Sequence, residues 1–390
     1  MEDVDKHFSD LLKTIAEEQK FVNYDLKVEP ISSGGANYTS RLYRVTISEG
    51  ARVLHMFAKV AAIGEKMRAQ APRFYITERF AYTKLVKVYE ELQEEHQVPD
   101  QYKLFFPTFY GCNPKEFEET IVLENLEMAG YEAYDRFKPI TWPYAKSAIA
   151  ELAKMHALSF VFKRSRPDDF NEVLGKLKFE WKLADQDMKT YYEKVIARAV
   201  EVVQEENKDR MTQFFKDFDQ DAFLTLYRAS RGVVLGHCDY RPSNLMHRCL
   251  DDGKVEIKIV DLQTLQGGSP VTDLLYFIFT GSDEQFRAQY YEQLIDHYYN
   301  ELAAAMKRLH LNPDEVYSRE NFDFELKEKL PFGLTLAVFT LPIITVETDK
   351  APEVNESLDI SAFSVTNTSD LYKERLNGVV NDYVKWGILK

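Results

Sequence analysis

Leu235-Gly236-His237-Cys238-Asp239-Tyr240-Arg241-Pro242-Ser243-Asn244-Leu245-Met246, followed by Lys258-Ile259-Val260-Asp261-Leu262-Gln263, decides the fold. One Asp stands five residues before an Asn, and a second Asp closes a short apolar strand. Alone, Asp239 would be a loop residue capping the turn at Pro242, and Asn244 an ordinary turn residue. Together they form the carboxylate, amide and carboxylate set that phosphoryl transfer from a metal-bound nucleotide needs. Asp239 is then the candidate base for a substrate hydroxyl proton. Asn244 and Asp261 are hard oxygen donors suited to Mg²⁺, with ATP as the nucleotide.

Lys59 lies in the predicted strand His55 to Val60, on the same face as Phe57. A helix is predicted over Arg73 to Glu95, and Glu78 falls on its apolar stripe of Phe74, Ala81, Leu85, Val88 and Leu92. A buried carboxylate needs a partner. A Lys59–Glu78 ion pair would supply one and aim the ammonium at nucleotide phosphates. The small-residue loop Val28 to Ser40 holds Gly34, Gly35, Asn37 and Ser40, whose backbone amides and short side chains suit phosphate. Two strands, Arg41 to Ile47 and His55 to Val60, follow it. Two more are expected at Phe105 to Tyr110 and Thr120 to Leu123.

The chain has 390 residues, enough for two lobes. A net charge of −14 argues against nucleic acid. The start, Met1-Glu2-Asp3-Val4-Asp5-Lys6, is acidic and polar, so no secretory leader is expected. Phe332 to Val346 is too short and too interrupted for a bilayer helix, which needs about 20 apolar residues, so no membrane partner is expected. Three sparse cysteines suit a reducing compartment, with the cytoplasm as default. No obligate protein partner is evident.

After Asn125 the pattern turns helical, with helices expected over Tyr144 to Phe162, Phe179 to Glu206 and Gln213 to Tyr227. The fold class is α+β: a small β-rich N-lobe over 1–124, a larger, mainly helical C-lobe over 125–390, and a cleft between them. His237, Cys238, His247 and Cys249 lack the spacing of a structural zinc site. His156 is expected to be a hydrogen-bonded core residue, and Asp273 a structural helix-start residue.

These motifs resemble the protein-kinase-like fold, and within it the ecdysteroid-kinase-like family, related to choline and aminoglycoside kinases. The resemblance covers the loop at Gly35 to Ser40, Lys59, Phe74 to Leu85, Val122 to Leu126, Ala153 to Ala157, the catalytic run, and the tail Tyr372 to Leu389. Cys238 stands where relatives usually carry Gly, and Ala36 where they often carry Glu. The resemblance implies adenine recognition by the backbone of Glu124 and Leu126, although a plain strand and turn has the same geometry. For Arg241 it implies a γ-phosphate contact, and a surface salt bridge is the other reading; for Asp273 it implies a brace on the catalytic loop, and plain helix capping explains that residue equally well. The implied reaction is ATP-dependent phosphorylation of a hydroxylated small molecule such as an ecdysteroid or xenobiotic alcohol. Its acceptor site would be walled by helices between Lys163 and Arg231 and by Phe332 to Ile344. A protein kinase and a catalytically silent nucleotide-binding module are the alternatives; Cys238 and Ala36 point to the latter.

Overall fold

The computed structural model describes residues 5–32, 37–70, 73–178, 186–216, 218, 220–352, 354–363 and 369–390. Alternating apolar residues make the first part of the chain a sheet. Helix α1 (Lys6–Glu18) precedes β1 (Asp25–Ile31), β2 (Ser40–Glu49) and β3 (Arg52–Ala61). Then come α2 (Glu65–Gln70), α3 (Phe74–Phe80), α4 (Val86–Glu95), β4 (Phe109–Asn113) and β5 (Thr120–Glu124). The strands form one antiparallel sheet in the order β1-β2-β3-β5-β4. Val45, Ile47, Met56, Ala58 and Val122 bury one sheet face against Phe8, Leu12 and Ile15 of α1.

The long predicted helix is present, but a π-helical turn at Ala81–Leu85 joins α3 to α4. Three expectations need correction here. The stretch Val28 to Ile31 is strand rather than loop; Pro30 is tolerated because β1 is an edge strand. The strand placed at Phe105 to Tyr110 begins only at Phe109, beyond Pro107, which has no N–H for a ladder. Helix α1 was not expected; its buried stripe of Phe8, Leu12, Ile15 and Ala16 has helical spacing.

Beyond β5 the chain is mainly helical. A two-residue strand β6 (Glu132–Ala133) leads to α5 (Trp142–Ser165), α6 (Pro167–Lys176), α7 (Gln186–Val202), α8 (Lys208–Phe215) and α9 (Gln220–Tyr227). Helix α6 was not expected. Of the helix predicted over Phe179 to Glu206, residues 179–185 lie outside the described ones. The helix predicted over Gln213 to Tyr227 is two, α8 and α9. The catalytic run is the strand-loop-strand island foreseen: β7 (Val234–Gly236), β8 (Leu245–Cys249), β9 (Val255–Ile259) and β10 (Gln266–Gly268). Helices α10 (Pro270–Gly281), α11 (Glu284–Arg308), α12 (Pro313–Val316), α13 (Arg319–Ile344) and α14 (Asp370–Lys385) follow. The arrangement is the expected α+β one, with a β-rich N-terminal part and a larger helical C-terminal part.

Helices α10 and α13 cross at Gly333. A Cβ there would lie 2.3 Å from the Phe279 ring and 2.4 Å from the Tyr383 hydroxyl, both on fully buried side chains. Gly333→Val therefore overpacks this crossing. We expect a loss of about 1–3 kcal/mol, read as a lower urea midpoint at unchanged m-value. An unchanged midpoint would mean that the crossing is looser than these distances.

Candidate active site

Helices α5 and α10 hold the loop between β7 and β8 from behind. Tyr240 donates to the Ala148 carbonyl at 2.6 Å, and Tyr144 to that of Pro242 at 3.2 Å. The Asp273 carboxylate accepts from the backbone amides of His237 and Cys238, each at 2.7 Å. Ser269 caps α10, so Asp273 braces the catalytic loop instead. His156 is the buried core histidine expected, 3.1 Å from Asp273 and 2.7 Å from the Tyr298 hydroxyl.

This bracing forces Cys238 to φ +64°, and Asp261 sits at φ +63°. Such backbone costs a non-glycine residue about 1–2 kcal/mol and tends to cluster at functional sites. It explains why glycine suits position 238. The Cys238 thiol contacts the Tyr227 hydroxyl, and burial followed by the nearby Asp273 charge pushes its pKa well up. It is therefore a packed thiol rather than a nucleophile.

On the loop, Arg241 Nε donates to Asp239 Oδ1 at 3.0 Å, and Asn244 Nδ2 to Asp239 Oδ2 at 2.8 Å. Arg241 is 8% exposed, so its ion pair with Asp239 is buried, not the surface bridge considered from sequence. Burial would lower the Arg241 pKa, but the Asp239 charge and hydrogen bond, with smaller contributions from Tyr276 and Asp261, together hold the guanidinium above its ordinary value. The β8–β9 pairing sets Leu245 opposite Ile259, and Val260 N donates to Asn244 O at 3.1 Å. This register brings Asn244 alongside the residue preceding Asp261.

Lys59 Nζ donates to Glu78 Oε1 at 2.9 Å and to Asp261 Oδ1 at 2.6 Å. Strand β3, helix α3 and the end of β9 thus meet at one buried ammonium. Burial opposes its charge, but Asp261 and then Glu78 outweigh burial, so the Lys59 pKa is raised. Burial also raises Glu78; it opposes the Asp261 charge too, but Lys59, with Arg241 and His237, holds Asp261 below its ordinary value.

Gly34 and Gly35 lie outside the described residues, as does Ala36. Asn37 folds back on its own loop, donating to the Ser40 carbonyl and accepting from Thr39 N at 3.4 Å. Ser40 is buried at the start of β2, its hydroxyl 3.4 Å from that of Thr39. Thr39, not singled out from sequence, reaches across to Gln263 Oε1 at 3.2 Å, and Gln263 Nε2 to Asp261 Oδ2 at 3.4 Å. Glu124 pairs with Met56, three residues along β3 from Lys59 and so about 10 Å away. Its side chain accepts from Thr108 N at 3.1 Å, and Leu126 opens a short 3₁₀ turn. Glu124 and Leu126 stand apart from the charged cluster.

A cavity of about 280 Å³ opens beside the loop. Asp239, Arg241 and Asp261 line it, and Tyr191 and Tyr192 of α7, Tyr227 of α9 and residues of α13 from Phe332 to Ile344 make largely apolar walls. These are the helices expected to enclose an acceptor. Among the described residues lining it, Asp239, Arg241 and Asp261 are the charged ones.

No cluster of three or more His, Cys, Asp or Glu side chains fit to hold a metal occurs among the described residues. Asn244 and Asp261 would nevertheless suit Mg²⁺, which keeps waters and phosphate oxygens around one or two protein ligands. The Asn244 amide nitrogen contacts Asp239 through both its carbonyl and its carboxylate, so its oxygen faces the other way.

A helix-braced loop carrying Asp, Arg and Asn, beside a shared lysine and an apolar cavity, defines a kinase-like phosphotransferase with an alcohol group as acceptor. The chain belongs to the ecdysteroid kinase-like family, whose model matches residues 34–311. Solved structures similar to it include a type VIII aminoglycoside-3'-phosphotransferase, at 16% identity over 84% of this chain and 99% of that one, TM-score 0.35. An ethanolamine kinase of Plasmodium vivax is similar at 10% identity over 98% and 89%, TM-score 0.47. A microcompartment-associated aminopropanol kinase is similar at 11% over 97% and 98%, TM-score 0.43. No curated protein matches the chain. Among the described residues, no helix is long and apolar enough to cross a membrane.

Proposed function

We propose that the protein transfers the γ-phosphoryl group of ATP to a hydroxyl of an apolar small molecule, with ecdysteroids and xenobiotic alcohols as the acceptor class. The observation that carries this reading is the largely apolar cavity that Asp239 lines. A cavity of about 280 Å³ walled by Tyr, Phe, Leu and Ile gains from burying apolar surface. An acceptor ammonium would find no carboxylate among the described lining residues beyond the two the chemistry needs.

In this reading the nucleotide binds between residues 1–124 and 125–390, acting as two lobes. Lys59, fixed by Glu78, holds the α- and β-phosphates, and the backbone of Glu124 and Leu126 meets the adenine edge. Residues Gly34 to Ser40 cover the phosphates. Asp239 accepts the acceptor's hydroxyl proton, and Arg241, anchored on Asp239, faces the transferred group. Asn244 and Asp261 would hold Mg²⁺, which would supply charge neutralisation to the nucleotide phosphates. The intact Lys59–Glu78 pair supports this over a silent module. Three free cysteines suit a reducing, cytoplasmic setting.

The test is product mass spectrometry after incubation with Mg-ATP and a panel of ecdysteroids and other hydroxylated metabolites. We expect a mass gain of one phosphate on one or more apolar alcohols, and none on amino alcohols. Phosphate on added protein alone would favour a protein kinase. Nucleotide binding without product from any acceptor would favour the silent module.

A further inference from the structure

We propose that Tyr38 couples the two substrates: an acceptor resting on its ring steadies the loop over the nucleotide phosphates, so acceptor and nucleotide bind cooperatively. The inference rests on the proposed function, with the acceptor in the apolar cavity and the nucleotide under residues 34–40. Tyr38 belongs to that loop, yet it is buried and lines the cavity. A crossing of the chain over itself builds the contact. Strand register sets Ser40 opposite Ala61, and Ala62 N donates to the Thr39 carbonyl at 3.1 Å. The end of the loop therefore lies beside residues 62–64, and the segment after α13 runs across them. A Cβ on Gly64 would lie 2.2 Å from the Glu356 carbonyl oxygen, so this crossing leaves no room for a side chain. The segment then makes a short 3₁₀ turn, Ile360–Phe363, that packs on α7. There the buried Phe363 meets Tyr38 edge-on, with ring centroids 5.0 Å apart and planes at 83°. The Tyr38 hydroxyl is 3.5 Å from the Ile343 carbonyl near the end of α13. Phe363 and Ile343 line the cavity too.

Thr39, the next residue, makes the opposite connection. Its hydroxyl reaches Gln263 Oε1 at 3.2 Å, and Gln263 Nε2 lies 3.4 Å from Asp261 Oδ2. The Asn37 side chain closes the turn by donating to the Ser40 carbonyl. Residues 37–40 are therefore one hydrogen-bonded unit, with a ring in the acceptor wall and a hydroxyl tied towards the proposed metal ligand. An acceptor that fills the cavity buries apolar surface against Tyr38 and Phe363 and so restrains that unit. The nucleotide then meets a loop already ordered, which costs less than ordering it on binding. By linkage, the nucleotide raises acceptor affinity by the same factor.

The experiment is isothermal titration of Mg-AMP-PNP, a non-hydrolysable ATP analogue, with and without a saturating apolar alcohol. That alcohol is the best acceptor of the panel, or ecdysone if none yields product. The readout is the ratio of the two nucleotide Kd values. We expect a ratio of about 5 or more in the wild type, and the same ratio when the alcohol is titrated with and without nucleotide. Tyr38→Ala and Phe363→Ala should each bring the ratio to about 1. Gly64→Val displaces the crossing segment from outside the cavity lining and should lower the ratio too. Tyr38→Phe keeps the ring and should keep the ratio. A residue serving packing alone would shift both nucleotide Kd values together and leave the ratio as in the wild type. A ratio of about 1 in the wild type with both ligands bound overturns the coupling and leaves the proposed function standing. A wild-type ratio retained in Tyr38→Ala removes Tyr38 from the coupling. Coupled ecdysone binding without product from any acceptor keeps the coupling and removes the transfer. No binding of the alcohol to the wild type overturns both.

Discussion

Asp239→Asn should lower turnover about 10²–10⁴-fold, the usual contribution of a positioned general base, while ATP binding stays close to wild type. The amide keeps the size of the carboxylate but has one accepting oxygen instead of two. Arg241 Nε and Asn244 Nδ2 both donate to Asp239, one to each oxygen. In the variant, one of them must face an amide NH₂. Its outcome is therefore twofold: no group remains to take the acceptor's proton, and the buried Arg241 guanidinium loses its nearest counter-charge. Single-turnover measurement of phosphoryl transfer, beside nucleotide titration, separates the two. A loss of transfer with nucleotide affinity kept is the expected pattern. A fall of less than tenfold in the transfer step would remove Asp239 from the base role.

The β8–β9 hairpin explains why so much of this site could be read in advance. Asp239, Asn244 and Asp261 are close in sequence, and one loop and one strand pairing fix their relation. Lys59 and Glu78 come from elements nineteen residues apart. They were legible because a strand alternates and a helix has a 3.6-residue period, so each side chain's face followed from its apolar neighbours. What sequence missed comes from longer range. Thr39 meets Gln263 across 224 residues, and no local pattern foretells that contact. For Asp273, brace and helix cap are equal readings until the fold lays the amides of His237 and Cys238 on its carboxylate and gives the cap to Ser269. The missed elements have a related cause. Pro30 and Pro107 each bear on the ladder, but only sheet order tells that Pro30 is harmless on the edge.

The cavity and the charged cluster make opposite demands on their surroundings. An apolar acceptor needs dry walls, and dry walls make an unpaired charge costly. The fold meets both by sharing its buried ammonium between two carboxylates and by pairing Arg241 with Asp239 on the loop itself. Charge is thus balanced within the cluster, leaving α7, α9 and α13 free to present aromatic and aliphatic side chains. Cys238 fits the same logic: its thiol is packed against Tyr227, an apolar filling at the floor of the cavity.

Lys59→Met should damage stability and chemistry together, and pH should separate the two. The methionine fills the lysine stem but leaves Glu78 and Asp261, 1% exposed and half-buried respectively, without their shared cation. Removing one partner from a buried ionic cluster costs about 3–5 kcal/mol. In the wild type Lys59 holds Asp261 below its ordinary value, so this carboxylate's contribution is present above the usual carboxylate range and lost as pH falls through its folded value. In the variant, burial acts on both carboxylates without Lys59 to oppose it, and both move up. A raised acid is stable while protonated and loses that stability as pH rises through its folded value. The gap between wild type and variant should therefore widen from pH 5 to pH 8, as read by urea unfolding. Adding Glu78→Gln removes one stranded charge and should narrow the gap at pH 8 without restoring turnover. Turnover should remain down by about 10²-fold or more, the scale of losing a preorganised charge beside a transferring group. A gap that stays constant with pH would mean that Glu78 and Asp261 find other partners. Recovery of turnover in the double variant would mean that Lys59 serves packing rather than phosphate.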